Sequence, residues 1–340
     1  MKVIVENGGL LTTVQDLGRR GYERYGVPVS GAMDAQALRI ANLLVGNEPG
    51  EAGLEITLLG PTLRFDGPAV VAVTGADLTL QCNGQEVPGY RAFSVRAGDV
   101  LSFGAPRSGC RAYLAFAGGL ALAPVLGSRS TTARFGIGGY QGRRLQKGDE
   151  LTLNRSVGTL PRMDRRRLTP EPPVQGVRTV RVLMGPQDDR FTQAGLDTFL
   201  RETYAVSAES DRMGYRLDGP AVEHRTDGNI ISDGIVTGSI QVPSDGKPIV
   251  MLADHQTVGG YTKIATVITA DLPLLAQCRA GDRLRFAPVD LDTAQRELLA
   301  ARERLRALRK KLEAAPGKQY RVHVGAQVFD VEIEEWEETT

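Results

Sequence analysis

Four polar, glycine-rich segments hold the side chains that could do chemistry. The first runs from Thr12 to Tyr22 (TTVQDLGRRGY) and continues from Gly26 to Asp34 (GVPVSGAMD), setting out Gln15, Asp16, Arg19, Ser30 and Asp34. It reads as a loop rather than a strand, and loops held on a rigid scaffold are frequent hosts of binding and catalysis. Ser30 or Asp34 could equally cap a following helix. The second, Gly127–Arg144, brings Ser128, Arg129, Ser130 and Arg134 among five glycines. Hydroxyls, guanidinium groups and open backbone N–H groups of this kind can cradle a phosphate or carboxylate. The third, Ser210–Leu217, contains Arg212. In the fourth, Gly238–Pro243 carries Gln241, and the apolar run Ile249–Ala253 delivers Asp254, His255, Gln256 and Thr257 at its end, with Tyr261 four residues beyond Thr257. Polar side chains directly after a buried strand form either a site or a satisfied network.

Familiar signatures are missing. There is no P-loop, clean GxGxxG, HExxH or GxSxG. His255 alone among the histidines sits in chemically suggestive company, while His224 and His323 read as structural or exposed. No residue set has credible metal-ligand spacing, so no metal is expected.

The elements that must position these segments are mostly β. In residues 1–155, short β-prone runs (Lys2–Val5, Thr62–Phe65, Ala69–Thr74, Asp77–Cys82, Val100–Phe103, Arg111–Ala117, Glu150–Leu153) are separated by Gly, Pro or Asn, as in a sandwich or barrel. A helix is expected over Asp34–Val45. Residues 156–177 read as a Pro/Arg-rich linker whose basic side chains face solvent. Residues 178–289 form a second β-rich lobe with a helix near Phe191–Glu202. Residues 290–340 form a tail. Within it Leu291, Leu298, Leu305 and Leu312 recur every seven residues, giving a seam that either zips to a second copy over 290–313 or lies on the chain's own surface. Pro316-Gly317 ends that helix, and a hairpin around Gly325-Ala326 follows. One motif echoes: Arg96-Ala97-Gly98-Asp99 before a strand returns as Arg279-Ala280-Gly281-Asp282, with Lys147-Gly148-Asp149 as a partial copy.

Composition narrows the partners. The 340 residues carry 41 Lys plus Arg against 40 Asp plus Glu, a net charge of +1, which gives no reason to expect nucleic acid or an anionic membrane. Gly, at 40 residues, is about 12%, consistent with many tight turns. Three scattered cysteines, with no CxxC, fit a reducing compartment. No signal-peptide core and no long apolar run is present, so the expected location is cytoplasmic.

Together the segments resemble the KipA-type, biotin-dependent carboxyltransferase-like family, which includes the C subunit of bacterial ATP-dependent 5-oxoprolinase and part of the carboxyltransferase domain of urea carboxylase. The matching residues are Thr12–Asp34, Gly185–Phe191 (GPQDDRF), Ser210–Pro220, Gly238–Pro243 and Ala253–Leu272, in order over residues 1–288. Val258 departs from a more usual Thr. The resemblance implies a cyclophilin-like β-barrel architecture and ATP-driven opening of 5-oxoproline to glutamate with partner subunits A and B, most directly with the KipI-like second of these. In that scheme the lactam oxygen is phosphorylated and water attacks the activated carbon. Asp16, Asp34 and Asp254 are candidates to move protons, Arg19, Arg212, Gln241 and Gln256 to hold developing negative charge, and His255 is a further catalytic candidate. Ser30, Gln15, Thr257 and Tyr261 would contact substrate. ATP could sit on a partner. Two other readings stand: a biotin-dependent carboxyltransferase component acting on urea or a related amide, and a binding protein that antagonises a kinase inhibitor. The tail resembles the leading hairpin of a biotin carrier but offers no Met-Lys acceptor, so covalent biotin is not expected. All the catalytic readings require residues 12–34, 210–216 and 254–261 to converge on one cleft.

Overall fold

The computed structural model describes residues 1–313, 318–325 and 327–333. It is mostly β, with 35% strand and 19% helix. The first lobe contains β1 (Lys2–Asn7), β2 (Leu11–Gln15), α1 (Ala35–Leu44), β3 (Gly53–Thr57), β4 (Thr62–Phe65), β5 (Ala69–Asp77), β6 (Leu80–Cys82), β7 (Gln85–Glu86), β8 (Ala92–Val95), β9 (Val100–Phe103), β10 (Ser108–Phe116) and β11 (Glu150–Thr152). Two sheets result, in the orders β11-β1-β4-β9-β6-β7 and β2-β3-β10-β5-β8. Alternating side chains such as Val3, Val5, Leu63 and Phe65 from one sheet meet Val14, Ile56, Val71 and Leu114 from the other, closing a sandwich core. The outer face of the second sheet, with Val70, Ala72, Tyr113 and Ala115, is covered by α1.

β2 corrects the loop expected from Thr12 onward. It pairs antiparallel with β3 from Leu11↔Thr57 to Gln15↔Gly53. The β-branched Thr12-Thr13-Val14 run suits a strand buried on both faces.

The second lobe contains β12 (Arg178–Met184), α2 (Gln193–Arg201), β13 (Tyr204–Val206), β14 (Gly214–Asp218), β15 (Asn229–Gly234), β16 (Ser239–Val242), β17 (Ile249–Met251), β18 (Val258–Val267), α3 (Leu272–Ala276) and β19 (Arg283–Pro288). Its order β12-β19-β13-β14-β17-β16-β18 closes on itself because β18 also pairs with β12, giving a seven-stranded barrel with β15 appended outside it. Val180, Ile240, Val250, Ile264 and Phe286 fill the core, and so does Met33, which belongs in sequence to the first lobe.

The echoed motif is a recurring turn. In each copy the Asp carboxylate accepts the backbone N–H three residues before it: Asp99 from Arg96 at 2.7 Å, Asp149 from Gln146 at 2.8 Å and Asp282 from Arg279 at 2.9 Å. The turns open β9, β11 and β19.

The stretch between the lobes is not a solvated linker throughout. Arg166 is buried and donates to the carbonyls of Leu43 and Leu44 in the last turn of α1. Leu160, Met163 and Leu168 pack beside it.

The last elements are α4 (Leu291–Glu313), β20 (Lys318–Val324) and β21 (Gln327–Ile333). The α4 seam turns inward: Leu308 and Leu312 are buried and, with Leu305, pack against the α1 cluster, while Leu291 and Leu299 stay exposed. The C-terminal half of the heptad face therefore packs on this chain's own surface. Pro316-Gly317 and Ala326, half of the expected hairpin centre, lie outside the described residues, as does the end of the biotin-carrier-like stretch beyond Ile333. No described helix is long and apolar enough to cross a membrane.

Candidate active site between the lobes

Asp254, delivered just past β17, is the hub of the lobe interface. Arg212 grips it bidentately, Nε to Oδ2 at 2.8 Å and Nη2 to Oδ1 at 3.0 Å. The hydroxyl of Ser30, from the first lobe, also donates to Oδ1. Arg212 reaches back to the first lobe through Glu55 Oε1 and through the Gly31 carbonyl at 2.7 Å. Burial alone would lower the Arg212 pKa, but the carboxylates of Asp254 and Glu55 outweigh it and hold the group firmly protonated.

Local backbone presents Ser30. It sits at φ 59°, an uncommon conformation for a non-glycine residue and one often found at functional positions. Gly31 follows at φ 91°, and a Cβ there would lie 2.8 Å from the Gly18 nitrogen. The two glycine-bearing turns can therefore touch only because side chains are absent. The Ser30 N–H is anchored on the Ala253 carbonyl at 3.0 Å. Ser30, Ala253 and Thr237 line a cleft of about 190 Å³ whose far wall comes from α4.

Glu55 was not picked out from sequence. It is 1% exposed and also accepts from the Met33 N–H and the Tyr113 hydroxyl, both at 2.8 Å. Arg111 lies 3.9 Å from it and donates to the Tyr215 hydroxyl and the Ala276 carbonyl across the interface. A charged residue inside an otherwise apolar strand was the available signal for both.

Asp16 forms a second cluster. Its carboxylate accepts from Gly18 N–H at 2.8 Å, Ser128 Oγ at 2.6 Å, Arg129 N–H at 2.6 Å and Ser130 Oγ. The expected anion cradle thus already holds an anion, the protein's own Asp16. Arg129 sends its side chain to the Leu122 carbonyl, and exposed Arg134 reaches Met213 Sδ. Arg19 is completely buried and donates to Thr132 Oγ1 and the Ser130 carbonyl. Burial lowers its pKa, with Asp16 and Asp254 opposing. Gln15 and Ser30 both point at the Thr131 carbonyl, at 3.1 Å and 3.2 Å, which ties this cluster to the Asp254 hub.

Other candidates are engaged elsewhere. Asp34 caps α1, accepting from Ala37 N–H at 2.9 Å, while its other oxygen accepts from Gln277 Nε2 at 2.9 Å. Burial raises its pKa against those hydrogen bonds. With both oxygens satisfied it is a structural tie rather than an open base. His255 is buried, with Nδ1 on its neighbour's carbonyl (Gln256) at 2.6 Å and Nε2 on Thr237 Oγ1 at 3.2 Å, and burial lowers its pKa. It is a neutral, fixed group. Gln241 is buried, with its amide nitrogen beside Gly259 and unpaired. Gln256 and Tyr261 are exposed, and Thr257 holds the Ile235 N–H through its carbonyl. These residues stand towards the paired strands β15 and β18, apart from the hub. The convergence therefore joins Ser30, Arg212 and Asp254 directly, Gln15 and the Asp16 cluster through Thr131, and leaves the 256–261 stretch aside.

The sequence model for the carboxyltransferase domain, subdomain A and B, matches residues 25–288. The chain belongs to this family. It is 40% identical over 301 residues to the C subunit of 5-oxoprolinase from Escherichia coli (strain K12), covering 86% of this chain and 93% of that protein. Urea amidolyase of Saccharomyces cerevisiae is 35% identical over 304 residues, covering 84% of this chain and 16% of that one. The crystal structure of the K. lactis urea amidolyase aligns with a TM-score of 0.85 at 34% identity, over 90% of this chain and 20% of that chain. The mostly β, barrel-containing architecture is thus the one this carboxyltransferase family shares.

Proposed function

We propose that this family member is the C subunit of an ATP-dependent 5-oxoprolinase, opening 5-oxoproline to glutamate together with subunits A and B. The observation that supports it most is the near end-to-end match to a protein of that name, against a minor share of the urea amidolyases. In this reading Ser30 meets the lactam in the cleft and passes a proton to or from Asp254, while Arg212 holds Asp254 in place. The loop at 128–134 does not suit a triphosphate, because its hydroxyls and N–H groups are engaged by Asp16. The nucleotide is assigned to the partner subunits.

The test is reconstitution with subunits A and B, following glutamate release from 5-oxoproline and ATP. Activity should require all three chains, and Ser30→Ala, checked for folding, should lower kcat by roughly 10²-fold, the scale of a lost proton-transfer group. A parallel arm offers urea with carboxybiotin, the reading favoured by the K. lactis similarity. Turnover there, with none on 5-oxoproline, would reverse the assignment.

A further inference from the structure

Three arginines from separate parts of the chain line the interlobe cleft: Arg20 from the first polar segment, Arg39 from α1 and Arg302 from α4. None of them forms an ion pair or a side-chain hydrogen bond within the described residues. The nearby acidic residues of α4 do not compensate them, since Glu297 pairs with Arg181 at 3.2 Å and Glu303 with Arg306 at 3.5 Å. Asp254, behind Ser30, is already held by Arg212. The Arg39 pKa is lowered by burial and by the positive charges of Arg302 and Arg20, so the three groups feel one another. Like charges gathered in a concave wall raise the local concentration of an anion, and guanidinium groups match a carboxylate with paired N–H donors.

We infer that Arg20, Arg39 and Arg302 form a carboxylate-recognition site, which holds the acid group of a small carboxylated lactam while its ring faces Ser30. This rests on the 5-oxoprolinase reading and sharpens it, because 5-oxoproline carries a carboxylate at neutral pH and urea does not. It also gives α4 a role. Arg302 lies beyond residue 288, where the family match stops, so the helix supplies a specificity-determining side chain from outside the shared domain. The leucine seam packs α4 against α1 and so brings Arg302 to the cleft that Arg39 also lines.

Calorimetric titration of the purified full chain decides this independently of turnover. The ligands are 5-oxoproline, its neutral analogue 2-pyrrolidinone, and inorganic phosphate. The expected result is binding of 5-oxoproline that weakens with added salt, with 2-pyrrolidinone at least about tenfold weaker, and a further loss of about tenfold in Arg39→Gln and in Arg302→Gln. Arg302→Lys, which keeps the charge, should retain part of the binding. Equal affinity for 5-oxoproline in wild type and both glutamine variants, or no binding of it, overturns the inference. Phosphate binding with the same arginine dependence and no 5-oxoproline binding also overturns it. In the reconstituted enzyme the same variants should raise KM for 5-oxoproline more than they lower kcat. Failure of reconstitution would count against the 5-oxoprolinase reading while leaving the titration result intact.

Discussion

At the scale of single residues, buried polar groups here are satisfied by partners far away in sequence. Asp16 closes the 128–130 loop, Asp34 reaches Gln277, and Asp254 reaches Ser30. Their motifs could be read in the sequence because each sits in a glycine-marked loop. Which carboxylate would be open and which enclosed could not be read, because that depends on donors more than a hundred residues distant. Glu55 and Arg111 were hidden for the opposite reason: each is a lone charge in a β-prone run, where hydropathy dominates. His255 gives a measurable consequence. Its folded pKa lies below the ordinary 6.5, so above that pH both folded and unfolded states are neutral and stability is unaffected. As pH falls below 6.5, the unfolded chain takes up a proton that the folded site resists, and stability drops until the folded pKa is reached. The slope should approach about 1.4 kcal/mol per pH unit at most. Denaturant unfolding of wild type and His255→Gln between pH 8 and 5 should diverge in this sense; parallel profiles would count against a buried neutral imidazole.

At the scale of elements, the strands and helices followed local rules. α1 starts at its Asp cap, and Ala35–Leu44 lies within the expected Asp34–Val45. An error came where tertiary pairing overrode a glycine-rich context, as in β2, whereas α4 stayed open between two valid uses of one sequence pattern. A heptad stripe fits a second helix or a sheet-backed helix equally well, and only the outer face of the first lobe, left uncovered by α1 alone, decides between them. Leu308→Ala should therefore destabilise by about 2 kcal/mol or more, whereas Leu299→Ala, at an exposed position of the same helix, should stay within about 0.5 kcal/mol. Chemical denaturation compares the two. Equal losses, or a concentration-dependent midpoint in the wild type, would instead favour an intermolecular seam.

At the scale of the whole molecule, the lobes are joined by charge. Glu55 serves Arg212 from the other lobe together with the Met33 N–H and the Tyr113 hydroxyl. Glu55→Ala would leave the Arg212 Nη1, the Met33 N–H and the Tyr113 hydroxyl buried without this acceptor, while Asp254 still neutralises the guanidinium, at a cost of about 1–3 kcal/mol. Calorimetry should show the wild-type lobes melting together and the variant in two steps; a single, barely shifted transition would show that the lobes are coupled by other contacts.

Met33 adds a temporal side to this architecture. During synthesis it leaves the ribosome long before any strand of the barrel whose interior it occupies. Until β12 to β19 emerge, the nascent first lobe must display that side chain, and Glu55 has Arg111 of its own lobe beside it but not yet Arg212.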